Sequence, residues 1–138
     1  MTELDKLIAS AFASEGKQDD VNKVYLLLLR SLLFMPVKKE HNATDDEPFS
    51  PLFALIDDQY YLPAFDSLDR LHAWAGHHLQ EVAYVELSGQ DLIAGMHENV
   101  FLCLNLGTDY YKEFSPDEVK RLKMIDSRIR QMKIESGR

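Results

Sequence analysis

Cysteine is nearly missing from this chain: Cys103 stands alone among 138 residues. One thiol excludes an internal disulfide and the zinc frameworks built from several cysteines, and it suits a reducing compartment. Long apolar runs are missing as well. The longest, residues 24–37, is broken by Arg30 and Ser31 and falls short of the roughly 20 residues that a spanning helix needs. The first residues, Thr-Glu-Leu-Asp-Lys after the initial Met, lack the basic start and apolar core of a signal peptide. Positive charge is also scarce. With 15 Lys and Arg against 23 Asp and Glu, the formal charge is −8, which disfavours nucleic acid and anionic membrane as partners because both need excess cation. The expectation is a cytoplasmic chain, off the membrane, whose partners are neutral or basic.

No phosphate loop is present. Gly89 and Gly95 lie six residues apart without the Lys-Ser or Lys-Thr ending that such a loop requires, so they read as turn and packing positions. Gly95, inside a helical pattern, would allow a strand or partner close approach. No cofactor is expected.

What the chain does have is apolar content of 46%, enough for a single domain over residues 1–138 to bury roughly two thirds of its unfolded surface. Charge is uneven along it. Residues 1–111 hold seven Lys and Arg against eighteen Asp and Glu, whereas residues 112–138 hold eight against five. A basic end suits the dipole of a final helix, and it could also dock on its own body or form a homodimer through that C-terminal helix.

Local patterns predict the elements in order. Thr2 with Asp5 resembles a capping box ahead of Leu4, Leu7, Ile8 and Phe12, giving an N-terminal helix over 1–18, and a second helix follows from Asp19. Residues 32–37, with Pro36 near their end, read as a strand at or near a sheet edge. Residues 38–50 are an acidic loop punctuated by Pro48. Strands at 52–56 and 60–65 flank Asp57-Asp58-Gln59 as a hairpin, and Asp66 or Ser67 caps a short helix that ends at Gly76. A strand at 81–87, a helix at 88–97 and a strand at 100–105 follow. The last helix, 115–134, opens on Ser115-Pro116-Asp117-Glu118, with a capping hydroxyl, a proline at the first helical position and a carboxylate to close the box. The implied fold is α+β: a mixed sheet of about five strands flanked by the N-terminal helices, short connecting helices and a long C-terminal helix.

In this order the local residues resemble the N-terminal domain of the SseB family, the enhanced serine sensitivity proteins. The matching pieces are residues 33–36, the segment Tyr61-Leu62-Pro63-Ala64-Phe65-Asp66-Ser67 leading to Leu71 and Trp74, residues 88–93, and Leu104-Asn105-Leu106-Gly107 before Phe114-Ser115-Pro116. The resemblance covers residues 20–122. Where the family tends to have Asn-Pro-Gly this chain has Asn105-Leu106-Gly107, which keeps the turn-forming glycine but loses the fixed angle of proline. Longer members carry a second domain, whose functions do not transfer. The resemblance brings no catalytic residues, and the family name records a phenotype.

A chemistry would have to come from other polar residues. His72, His77 and His78 cluster around Gly76, with His97 farther on, but adjacent histidines point in different directions and Glu81 completes no metal motif. The pairs Asp57-Asp58 and Asp45-Asp46-Glu47 lie in polar loops, where carboxylates share water and are not held apart across a substrate. Cys103 sits in an apolar strand as a small hydrophobe. We therefore expect no catalysis and no metal, and a protein-interaction or regulatory role with an unidentified protein partner. Tyr60, Tyr61, Tyr110 and Tyr111 are the aromatic interface candidates. The alternative is a sensor of a small metabolite such as an amino acid, with a pocket bordered by Trp74, His77 or His78 and the Asn105 to Gly107 turn.

Overall fold

The chain begins as two helices joined by a tight turn. α1 (Glu3–Ala13) starts at Thr2, whose side chain accepts the Asp5 amide while the Asp5 carboxylate accepts the Thr2 amide. This is the capping box read from the sequence. The helix stops earlier than residue 18, because Glu15 and Gly16 both take positive φ and the Gly16 amide folds back onto the Ala11 carbonyl, a turn for which glycine carries no Cβ penalty. α2 (Gln18–Arg30) follows directly and buries Val24, Tyr25, Leu28 and Leu29. A computed structural model describes residues 2–38 and 51–136, with the side chains of all of these except 78, 79, 81 and 133–136. The acidic loop thus lies outside the described residues apart from Lys38.

Six strands form two ladders among the described residues. β1 (Leu32–Lys38) pairs antiparallel with β4 (Val82–Ser88), Leu33 opposite Leu87 and Pro36 opposite Tyr84. The other ladder runs β2 (Ala54–Ile56), β3 (Gln59–Ala64), β5 (Val100–Leu104), β6 (Lys112–Phe114). It is mixed, since β3 and β5 are parallel and its other pairs antiparallel. Single bridges at Phe34 with Phe65 and Val37 with Pro51 join the two ladders. Pro36 is tolerated in β1 for a geometric reason. Phe34 exchanges backbone hydrogen bonds with Phe65, and the Pro36 carbonyl accepts the Leu52 amide. Even-numbered residues therefore point away from β4, and the amide that proline lacks is not one that the β1–β4 ladder uses.

The β2–β3 hairpin turns on Asp57 and Asp58, both at positive φ (51° and 64°). That is the sign pattern of a type I′ turn, which matches strand twist and which Asp tolerates better than most residues. β6 is the strand that the sequence reading lacked. At three residues, one of them a lysine, it is too short to show an alternation of its own.

Between the strands lie α3 (Leu68–Ala75), capped by Ser67, a 3-10 turn at Gly76–Glu81, and α4 (Gly89–Gly95), capped by Ser88. α4 ends two residues before His97. α5 (Pro116–Ser136) closes the chain. Its start carries the expected reciprocal box between Ser115 and Glu118. Leu4 and Ile8 of α1, Leu28 and Leu29 of α2, Leu92 and Ile93 of α4, and Val119 and Leu122 of α5 share one buried cluster with the inward strand residues Leu33, Met35, Leu62, Leu102, Leu104 and Phe114. No helix among the described residues is long and apolar enough to cross a membrane.

Candidate interaction surface

Strand alternation gives the four-stranded ladder two unlike faces. Leu62, Ala64, Val100, Leu102, Leu104 and Phe114 point into the core, so Tyr61, Pro63, Phe101, Cys103 and Glu113 point outward. On that outward face the Tyr61 and Phe101 rings stack, with centroids 4.8 Å apart and planes at 23°. At the end where β3 and β5 finish, Trp74 of α3 leans on Phe65 at 5.5 Å. Leu52, Phe53, Tyr61, Pro63, Trp74, Cys103 and Leu106 enclose a shallow apolar groove of about 90 Å³. The single tryptophan is therefore half-buried and lines a groove.

The hairpin beside this groove is unusually apolar at its surface. Phe53, Leu55, Ile56 and Tyr60 are 44%, 59%, 55% and 49% exposed, and Phe53 and Tyr60 meet edge to face at 6.0 Å. β2 is also the last strand of its ladder. Exposed edges ordinarily carry Lys or Pro to prevent pairing with another chain, but Ala54–Ile56 carry neither. Among the described residues, the exposed apolar set and the terminal strand of the ladder coincide.

Other residues singled out by sequence serve separate purposes. Asn105 is fully buried at φ 57° and accepts the Asp66 amide with its side-chain oxygen, while its carbonyl accepts both the amide and the hydroxyl of Thr108. Its Nδ2 has no hydrogen-bond partner among the described residues. Gly107, at φ 86°, completes the turn and is exposed. The Tyr110 ring takes the Arg70 guanidinium at 5.7 Å. The Tyr111 hydroxyl lies 2.9 Å from the Glu113 carboxylate and 3.6 Å from the Cys103 sulfur. One phenolic proton cannot serve both, so it goes to the carboxylate, and the thiol can donate to the phenol oxygen. Burial pushes the Cys103 thiol up, and burial with the thiol and Glu113 contacts raises Tyr111 as well, leaving the sulfur a protonated, weak nucleophile.

His77 is exposed on the 3-10 turn and is not among the groove's walls, and the side chain of His78 lies outside the described residues. Of the pocket expected between Trp74, His77 or His78 and the Asn105 to Gly107 turn, Trp74 and Leu106 of the turn share a groove, Asn105 is buried as a brace, and His77 is not among the groove's walls. Asp57 and Asp58 form the exposed hairpin tip, while the second acidic cluster, Asp45 to Glu47, falls outside the described residues. No three His, Cys, Asp or Glu side chains converge as for a metal among the described residues.

Two polar clusters escaped the sequence reading because each joins residues far apart in the chain. In the first, Arg70 donates to both oxygens of Asp5 (2.8 and 2.6 Å) and to Asp66 (2.8 Å), and the Thr2 hydroxyl donates to Asp66. Burial works to raise the Asp5 carboxyl, but Arg70 and the Thr2 amide outweigh it and hold the group below the usual carboxylate range. In the second, the Tyr25 hydroxyl donates to Glu118 at 3.1 Å and Lys112 pairs with the same carboxylate at 3.2 Å. Burial and the Glu118 charge push Tyr25 up to about 12. Only the i,i+4 spacing of Asp66 and Arg70 could have hinted at either.

Comparison with known proteins agrees with the order of motifs and of elements. Neither curated proteins nor solved structures gave a match. The family model of the SseB protein N-terminal domain matches residues 4–121, a span that runs from the first turn of α1 into α5 and takes in both ladders. The chain belongs to the SseB N-terminal domain family.

Proposed function

We propose that this domain is a non-enzymatic, cytoplasmic protein-interaction or regulatory module that docks a neutral or basic protein partner on the β2–β3 hairpin and the adjoining outer face. The observation that carries this reading is the exposed apolar set Phe53, Leu55, Ile56 and Tyr60 at the β2–β3 hairpin, where β2 is the terminal strand of its ladder among the described residues. Exposed apolar side chains gathered at one hairpin favour association, and a terminal strand can add a strand from a partner through main-chain hydrogen bonds. Asp57 and Asp58 at the hairpin tip, together with the net charge of −8, favour a partner without excess acid. A second copy of the chain, brought in by the basic C-terminal helix, is the self-associating form of the same reading.

Affinity recovery from native extract, run in parallel with wild type and Leu55→Asp, tests the docking surface. Leu55 is exposed, so the variant should keep its circular dichroism and melting temperature. The expected result is one stoichiometric partner with wild type, lost with Leu55→Asp. Recovery of the same partner by both proteins, or of none by wild type, rejects the surface.

A further inference from the structure

We propose that the groove between α1 and α2 binds a free α-amino acid with an apolar side chain. The site belongs to the metabolite-binding reading and is independent of the β2–β3 surface, so the failure of either leaves the other intact. Ile8, Ala11 and Phe12 of α1 face Val21 and Val24 of α2 across a cavity of about 220 Å³. Phe12 is 65% exposed, an aromatic side chain left at the lip. The apolar walls run from Glu15 and Gly16 at the interhelical turn to the level of Ile8 and Tyr25, roughly 10 Å or two helical turns away.

Exposed Glu15 closes the lining at the turn, and at the Tyr25 end the lining carries both signs of charge. Lys112 and Glu118 both line the cavity; the Lys112 Nζ and the Glu118 carboxylate are 3.2 Å apart, with the Tyr25 hydroxyl on the same carboxylate. The ammonium is further held by the Glu113 carbonyl at 3.0 Å and lies 5.0 Å from the Phe114 ring centroid. Neither side chain is fully buried, at 27% and 30% exposure, so both can be reached without breaking the core. The choice of ligand follows from charge. A fatty acid would answer only Lys112 and an amine only Glu118, each leaving one charge of the pair opposed by nothing new. A zwitterion answers both: its carboxylate sets against Lys112 and its ammonium against Glu118, giving two antiparallel ion pairs in a partly desolvated corner. Its side chain then runs along the apolar walls, which favours leucine or methionine and disfavours serine, whose hydroxyl would find no partner there.

The test is titration of the full chain with L-leucine, L-methionine and L-serine, followed by amide chemical shifts and by thermal shift. Half-saturation near ~1 mM is expected for leucine and methionine, as suits so small a ligand in an open groove, with serine, leucinamide and isocaproate weaker by about tenfold or more. The shifts should centre on Val24, Lys112 and Glu118. Lys112→Met and Glu118→Gln, the latter keeping the helix cap, should each weaken leucine by about tenfold. Ala11→Leu, which fills the groove on a helix-compatible residue, should abolish binding while circular dichroism stays unchanged. The proposal is overturned if leucine produces no saturable shift up to about 50 mM, if leucinamide or isocaproate binds as tightly as leucine, or if the shifts centre on Trp74 and Leu106.

Discussion

Arg70 is the side chain on which the N-terminal helix depends. Its guanidinium joins Asp5 of α1 to Asp66 beside α3, with Asp5 fully buried and Arg70 largely so. Truncating one partner of such a pair leaves the other as an uncompensated charge, so Arg70→Met should cost about 3–5 kcal/mol in urea unfolding. The acid limb follows from the lowered Asp5 pKa. A carboxyl held below its ordinary 3.8 contributes stability that is fully present above that value and lost as pH falls through the lower folded value. Wild type should therefore lose stability below about pH 4, and its advantage over Arg70→Met should shrink between pH 6 and pH 3. An equal gap at both pH values would place the effect in packing, not in the ion pair. None of this was readable from the chain alone: Thr2 and Asp5 were visible as a local cap, but the partner that fixes Asp5 lies 65 positions away.

At the scale of elements, two glycines of one helix behave oppositely. Gly89 opens α4 against α2, and a Cβ there would fall 1.9 Å from the Leu28 carbonyl oxygen, a backbone atom that cannot rotate aside. Gly95, which the helical pattern suggested as the close-approach position, meets nothing within 4 Å. Gly89→Ala should lower stability by several kcal/mol, roughly 3 or more, as overpacking against backbone does. Gly95→Ala should raise it by up to about 1 kcal/mol through helix propensity. Thermal melts of the pair check both signs at once. The reversal shows where sequence reasoning ends. Caps at Thr2, Ser67 and Ser115 were legible because their hydrogen bonds span three residues, and the hairpin at Asp57-Asp58 because a two-residue turn is local. Which glycine touches another helix is a tertiary matter, and so is a three-residue strand such as β6, defined by its pairing with Leu102 to Leu104 and by little in its own residues. The candidate surface was half legible: Tyr60, Tyr61 and Trp74 were marked by type, whereas the exposure of Phe53, Leu55 and Ile56 depends on β2 being an edge.

Across the whole molecule, the basic end is tied partly to itself and, through Arg130 and Asp91, to the acidic body of the same copy. Lys112 pairs with Glu118, Lys123 donates to the Met96 carbonyl behind α4, and Arg130 pairs with Asp126 on its own helix and reaches Asp91 of α4. These contacts seat α5 on its own domain. Lys120, Arg121 and Arg128 remain exposed, and Arg30 and Arg128 flank a groove between α2 and α5 where Leu26 is 39% and Met132 59% exposed. α5 carries six Lys and Arg against four Asp and Glu, so two α5 helices set face to face would each bring a net positive charge. Association through this helix is favoured where the basic helix of one copy lies on the acidic body of another. Such a contact is screened by salt, because the Debye length falls from roughly 10 Å at 0.1 M to 3 Å at 1 M. Sedimentation should then show a mass above the 15.9 kDa of one chain at low ionic strength, returning to that value near 1 M salt. Arg128→Glu, or removal of residues 126–138, should give a monomer at every salt concentration. A wild-type chain that is already monomeric at low salt rejects association through α5, and a dimer that survives both changes assigns it to another surface.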